Sequence, residues 1–159
     1  MPVQNSAEAS KLIRKWMEDR KVFKSDSSDA NKDTVQFSYD GTCNNGVNFT
    51  IQQPKDMVRV VGITTKMLFA PIHLKKISSF DQHRRDKFFR DLTKSLLLIP
   101  PSFFFGPNPE KPEWTFIIKE ISYDELTEGR LIEAVEQVSR AVLWASAILV
   151  DEFGEPNTE

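Results

Sequence analysis

Two short runs of alternation place the tightest limit on what this chain can fold into. Val35, Phe37 and Tyr39 alternate with Gln36 and Ser38, and Val47, Phe49 and Ile51 alternate with Asn48 and Thr50. A period of two sends successive side chains to opposite faces of a strand, so each run has one apolar face and one polar face. Between the runs lie Asp40-Gly41 and Asn45-Gly46, dipeptides that tolerate the positive φ of tight turns. The two runs therefore read as an antiparallel hairpin with one face to bury. The rest of the chain has to cover it.

The cover reads as helical. Asn5 and Glu8 have capping-box spacing, and Leu12, Ile13, Trp16 and Met17 share one helical face, which predicts a first helix from Ser6 to Val22. The polar segment Lys24–Asp33 reads as a loop. Beyond the turn Pro54-Lys55-Asp56, the β-branched, two-sided Met57–Thr65 reads as a central strand. Lys66–Ile72 reads as a fourth strand, with Pro71 at its end or on an edge because proline has no ladder donor. Ser79 and Gln82 have capping-box spacing and open a second helix over Phe80–Leu98, which Pro100-Pro101 stops. The segment Pro100–Pro112 holds five of the nine prolines together with Phe103, Phe104 and Phe105, and reads as a loop. Trp114–Ile121 is a fifth strand, and Asp124 caps a last helix over Glu125–Phe153.

The expected fold is α+β, an antiparallel sheet with helices packed on it in the order α-β-β-β-β-α-β-α. At 159 residues the chain fits a single domain, 1–159, with its core over 6–153 and a polar tail at 154–159.

Chemical signatures are sparse. The glycines at 41, 46, 62, 106, 129 and 154 lack the spacing of a P-loop or dinucleotide fold, so no cofactor is expected. One cysteine makes neither an internal disulfide nor a multi-cysteine zinc site. Cys43 sits in a turn with neither a cation nor a helix N-terminus beside it in sequence, which predicts an unreactive thiol. His73 and His83 are the two histidines. Neither is joined in sequence to a nucleophile or to a metal-ligand motif, so an enzymatic reading reduces to one of them with a distant carboxylate. Asn48-Phe49-Thr50 matches a glycosylation sequon inside a strand, and reads as a chance match. The N-terminus has no basic start or apolar h-region. The longest apolar stretch, Ala141–Val150, would span about 15 Å as a helix, half of a roughly 30 Å hydrocarbon core. No membrane partner and a cytoplasmic location are expected.

Charge is unevenly placed. The net charge of −2 combines +4 over Lys75–Lys94, −8 over Glu110–Glu159 and +2 elsewhere. Arg84, Arg85, Lys87 and Arg90 are the candidate polyanion contacts, should the basic helix 75–94 meet phosphate. The same face could meet an acidic protein surface or remain solvated.

Two apolar features point to protein contact. Ala141–Val150 is apolar nearly all round its helix, and such a helix must be covered on every side. Trp144 and Ile148 are candidates there. Phe103, Phe104 and Phe105, framed by prolines, are either a core plug or a docking surface.

The chain resembles the type III secretion chaperone-like fold, and in particular uncharacterised prokaryotic relatives of it. The resemblance rests on the N-terminal helix with Leu12-Ile13 and Trp16-Met17, and on the meander Val35–Tyr39, Val47–Gln53 and Met57–Thr65. The helix Phe80–Leu98, the strand Trp114–Ile121 and Tyr123-Asp124-Glu125-Leu126 before the last helix complete it. It implies a non-enzymatic fold that commonly dimerises and binds extended protein segments. The chain departs from that pattern in being less acidic than many secretion chaperones and in its long Pro100–Pro112 segment. The expectation is a non-enzymatic, chaperone-like interaction module, homodimeric and of unspecified client. The alternatives are nucleic-acid binding through 75–94, the less favoured, or a small histidine-based enzyme.

Overall fold

A computed structural model describes residues 2–156. The elements are α1 (Ser6–Asp19), β1 (Phe23–Asp26), β2 (Val35–Thr42), β3 (Asn48–Pro54), β4 (Val60–Leu68), α2 (Pro71–Ser79), α3 (Gln82–Leu96), β5 (Ser102–Asn108), β6 (Lys111–Ser122) and α4 (Glu128–Phe153). The fold is α+β, with one antiparallel six-stranded sheet in the order β1-β2-β3-β4-β6-β5. Its residues group into two compact units.

The first unit takes in the chain up to Thr65 together with Ile118–Ser139. Here the alternating runs pair as β2 and β3, with Tyr39 opposite Ile51 and Ser38 opposite Gln52. Gly46, at φ +85°, makes the turn between them, a conformation that costs glycine little. The apolar face, including Phe37, Tyr39, Ile51 and Ile63, is buried, as are Ala9, Ile13 and Met17 of α1. Asn5 caps α1 by accepting from the Glu8 N–H at 2.9 Å. The Glu8 carboxylate reaches back to the Gln4 N–H at 2.8 Å, one residue before the position that a capping box would use.

The second unit takes in Lys66–Ile117 and the chain from Arg140. Its core joins Met67, Phe69, Ile77, Leu92, Leu96, Ala145, Leu149 and Phe153. Phe88, Phe89, Phe103 and Phe105 pack against that core, and the rings of Phe89 and Phe105 meet edge to face at 5.7 Å.

Several expectations are corrected. Helix α1 ends at Asp19 and not at Val22, because Lys21 adopts φ 58°. The Lys21 and Val22 N–H groups then bond the Glu18 and Met17 carbonyls, each at 3.0 Å, which closes the helix as a Schellman motif. Part of the expected loop after it is β1, which pairs with β2. Lys66–Ile72 is no separate strand: β4 runs to Leu68, and Pro71 opens α2, where its missing N–H costs nothing. The second expected helix, Phe80–Leu98, is α3, and α2 is an additional helix that precedes it. The cap of α3 is Asp81, which accepts from the Arg84 N–H at 2.9 Å. The proline-rich segment contains strand β5, joined to β6 by a turn in which Asn108 accepts from the Glu110 N–H at 2.9 Å. The last helix begins at Glu128, with Thr127 accepting from the Arg130 N–H. Residues 157–159 of the expected polar tail lie outside the described residues.

Candidate protein-interaction surface

Alternation along β5 decides which aromatic rings are spent on the core. Phe103 and Phe105 point to the helices of the second unit and pack on its core. Phe104, between them, points the other way and is 52% exposed. Neighbouring strands add side chains on this same face. The Phe104 ring lies 5.0 Å from Phe116 and 5.8 Å from Trp114, centroid to centroid. The Lys66 ammonium stands 4.5 Å over the Trp114 ring, a cation–π contact. Leu68, two residues along β4, is 69% exposed. The second unit thus packs one sheet face under helices and presents rings and a leucine on the other. Interfaces are enriched in such side chains because they bury large area at little rotamer cost.

Helix α4 carries a second apolar stripe. Within the second unit, Ala141, Ala145 and Leu149 are buried, and Val142 and Ile148 pack against the core. Leu143 and Trp144 remain about half exposed, with Ala147 beside them. Of the residues named from the sequence, Trp144 and Phe104 therefore stand on the surface. Ile148, Phe103 and Phe105 face the core.

The basic residues of α3 are largely occupied within their own unit. The Arg84 guanidinium sits 3.9 Å over the Phe80 ring and 3.9 Å from a Glu152 carboxylate oxygen. Arg85 donates through Nη2 to the Phe80 carbonyl at 3.1 Å. It helps line a cavity of about 300 Å³ with Leu74, Ile77 and Phe89. Lys87 pairs with Asp91 at 2.7 Å, and Arg90 is exposed. A groove of about 360 Å³ between α3 and α4, lined by Phe88, Lys87 and Asp151 among others, carries both signs of charge.

His73 is buried in α2, with Nε2 2.8 Å from the Gly154 carbonyl and its ring against Phe153. It lies one residue past Lys66–Ile72, the stretch expected as a strand, and is a helix residue. His83 lies exposed in the first turn of α3. Neither lines the cavity or the groove just described. In the first unit, burial pushes the Cys43 thiol above its ordinary pKa, with Ser139 opposing and Glu136 adding to the shift. That is the electrostatic setting of an unreactive cysteine. Among the described residues, no helix is long and apolar enough to cross a membrane.

Residues 9–149 match the family described as uncharacterized conserved protein (DUF2299). The chain belongs to this family. The DUF2299 chain is similar to the crystal structure of an uncharacterized protein from Methanothermobacter thermautotrophicus, at a TM-score of 0.84 and 20% identity. The match covers 92% of this chain and 99% of that one. It is also similar to YbjN from E. coli, described as a candidate transcription regulator, at a TM-score of 0.56 and 13% identity. That match covers 92% and 96% of the two chains. At these identities the likeness shows the shared fold. No curated protein matches the chain.

Trp114, Phe116 and Leu68 also belong to this surface, although no motif in the sequence marks them. Trp114 and Phe116 were legible only as one side of an alternating strand. Their signal was aromatic identity on the side that a one-faced sheet leaves open.

Proposed function

We propose that this DUF2299 chain is a non-enzymatic protein-interaction module that works as a homodimer in the cytoplasm, and that it holds a client as chaperone-like folds do. The observation that carries the reading is the cluster of Phe104, Trp114 and Phe116 with Leu68, on the sheet face turned away from the helices of its unit. Phe104 and Leu68 are exposed beside the partly buried Trp114 and Phe116, and a partner surface would recover the hydrophobic free energy of that exposure. The resemblance in element order to type III secretion chaperones supports the same reading. Light scattering behind a sizing column tests it on the wild-type chain and on F116S. Self-association at about 100 µM that weakens in the variant supports the reading. A clean monomer in both would count against it.

A further inference from the structure

The cavity of about 300 Å³ between α2, α3 and the start of β6 combines apolar walls with an excess of positive charge. Leu74, Ile77, Phe89 and Pro112 supply the apolar walls, each of them buried or partly buried. The charged lining residues are Lys75, Arg85, Lys111 and Glu113, three cations against one carboxylate, net +2. Among the described residues none of the four enters an ion pair. Arg84 and Lys87, beside Arg85 on α3, are by contrast paired with Glu152 and Asp91. Lys75 and Lys111 are exposed, and water serves them. Arg85 is placed differently. It is partly buried, its Nη2 donates to the Phe80 carbonyl at 3.1 Å, and its Nε is buried with no acceptor. Buried donors are as a rule satisfied, and one on a charged group is costly to leave unpaired. A guanidinium that lines a cavity and is short of an acceptor is a place for an anion.

We propose that this cavity binds an organic carboxylate with an apolar tail, the head group on Arg85 and the tail against Leu74, Ile77 and Phe89. The guanidinium fork matches a carboxylate, and Lys75 and Lys111 add positive potential around it. Glu113 limits the charge of the head group. Its carboxylate repels a second negative charge, so a singly charged carboxylate fits better than a phosphate dianion. The walls decide the rest. A small inorganic anion would leave them bare, and a neutral hydrocarbon would leave Arg85 short of its acceptor. At about 30 Å³ for a group the size of water, the cavity holds about ten non-hydrogen atoms, roughly an eight-carbon acid. A free acid of that kind and the C-terminal carboxylate of a peptide ending in an apolar residue offer the same chemistry. No lining residue belongs to the Phe104 surface, so the site is independent of the dimer reading.

Calorimetric titration of the full chain with octanoate, octanol, acetate and inorganic phosphate tests the chemistry, and amide chemical shifts of residues 74–78 and 85–89 locate it. A short neutral peptide ending in leucine, as the free acid and as the amide, separates the two sources. Octanoate or the free-acid peptide is expected to bind with a Kd below about 1 mM and to shift those amides. The tighter of the two identifies the source. Octanol, acetate, phosphate and the amidated peptide are expected to bind at least about tenfold more weakly. R85Q should weaken binding at least about tenfold with an unchanged far-UV spectrum, and E113Q should tighten it about threefold. Should R85Q not fold, the exposed E113Q and the uncharged analogues decide. Binding of neither carboxylate up to about 10 mM, or shifts confined to other residues, overturns the site. So does equal binding of octanol, tighter binding of phosphate, unchanged affinity in folded R85Q, or no gain in E113Q.

Discussion

Trp114 occupies the space over Gly106: a Cβ on that glycine would come within 2.2 Å of the indole. The glycine at the edge strand is what lets the indole settle across β5 and meet Phe104. Ring cluster and strand are therefore one packing arrangement.

G106A should displace the indole. The expected cost is about 1–3 kcal/mol, the usual range for overpacking a filled site. A lower urea midpoint together with a shifted tryptophan emission would register it. An unchanged midpoint would mean that the indole is free to move aside.

The first unit depends on a buried polar pair. The Tyr123 hydroxyl donates to the Gln53 side-chain oxygen, and both residues are buried. Burial raises the pKa of this hydroxyl, so it stays a donor through the neutral range. Y123F strands the Gln53 oxygen and should cost about 1–3 kcal/mol, whereas removing both polar groups in Y123F/Q53M should recover part of that loss. Chemical denaturation of the three proteins separates an orphaned acceptor from simple loss of packing.

Acid should weaken the link between α1 and β1. The Ser28 side chain, its backbone N–H at 2.9 Å and the Arg14 guanidinium at 3.6 Å hold Asp26 below its ordinary pKa of 3.8. A carboxylate depressed in the folded state contributes stability above its unfolded pKa and loses it as pH falls through the folded value. Because the pair is partly exposed, D26A should cost less than about 1 kcal/mol at pH 7. The difference between wild type and variant should close as pH falls below 3.8. A gap that stays constant down to about pH 2 would contradict the linkage.

Lys21 holds a left-handed conformation at φ 58° in the motif that ends α1. K21G should raise stability by about 0.5–1 kcal/mol, since glycine adopts that φ without a Cβ penalty. Thermal unfolding would show the gain, and a loss would mean that the lysine side chain contributes more than its backbone costs.

These residues also show where the sequence was legible. The hairpin of β2 and β3 could be read because period two and two turn dipeptides agree. The end of α1 could not, because the residue that reverses the chain is a lysine and carries no glycine signal. Pro71 is ambiguous in sequence, since proline is excluded from a ladder but welcome at the first position of a helix, and its local sequence fits both. Strand β5 was hidden by the prolines around it, although Phe103 and Phe105 on one side and Phe104 on the other already alternate. The surface was legible in part: Trp144 and Phe104 stood out as aromatics in unusual settings. Trp114 and Phe116 joined the surface only once the strands beside them were in place, because the contact is made across strands and not along the chain.

The most direct test of the central claim is the mass of the wild-type chain in solution. Light scattering at about 100 µM should give twice the 18.3 kDa of one chain, falling toward a single chain on dilution and in F104K. A mass of one chain that stays constant across the concentration range would contradict it.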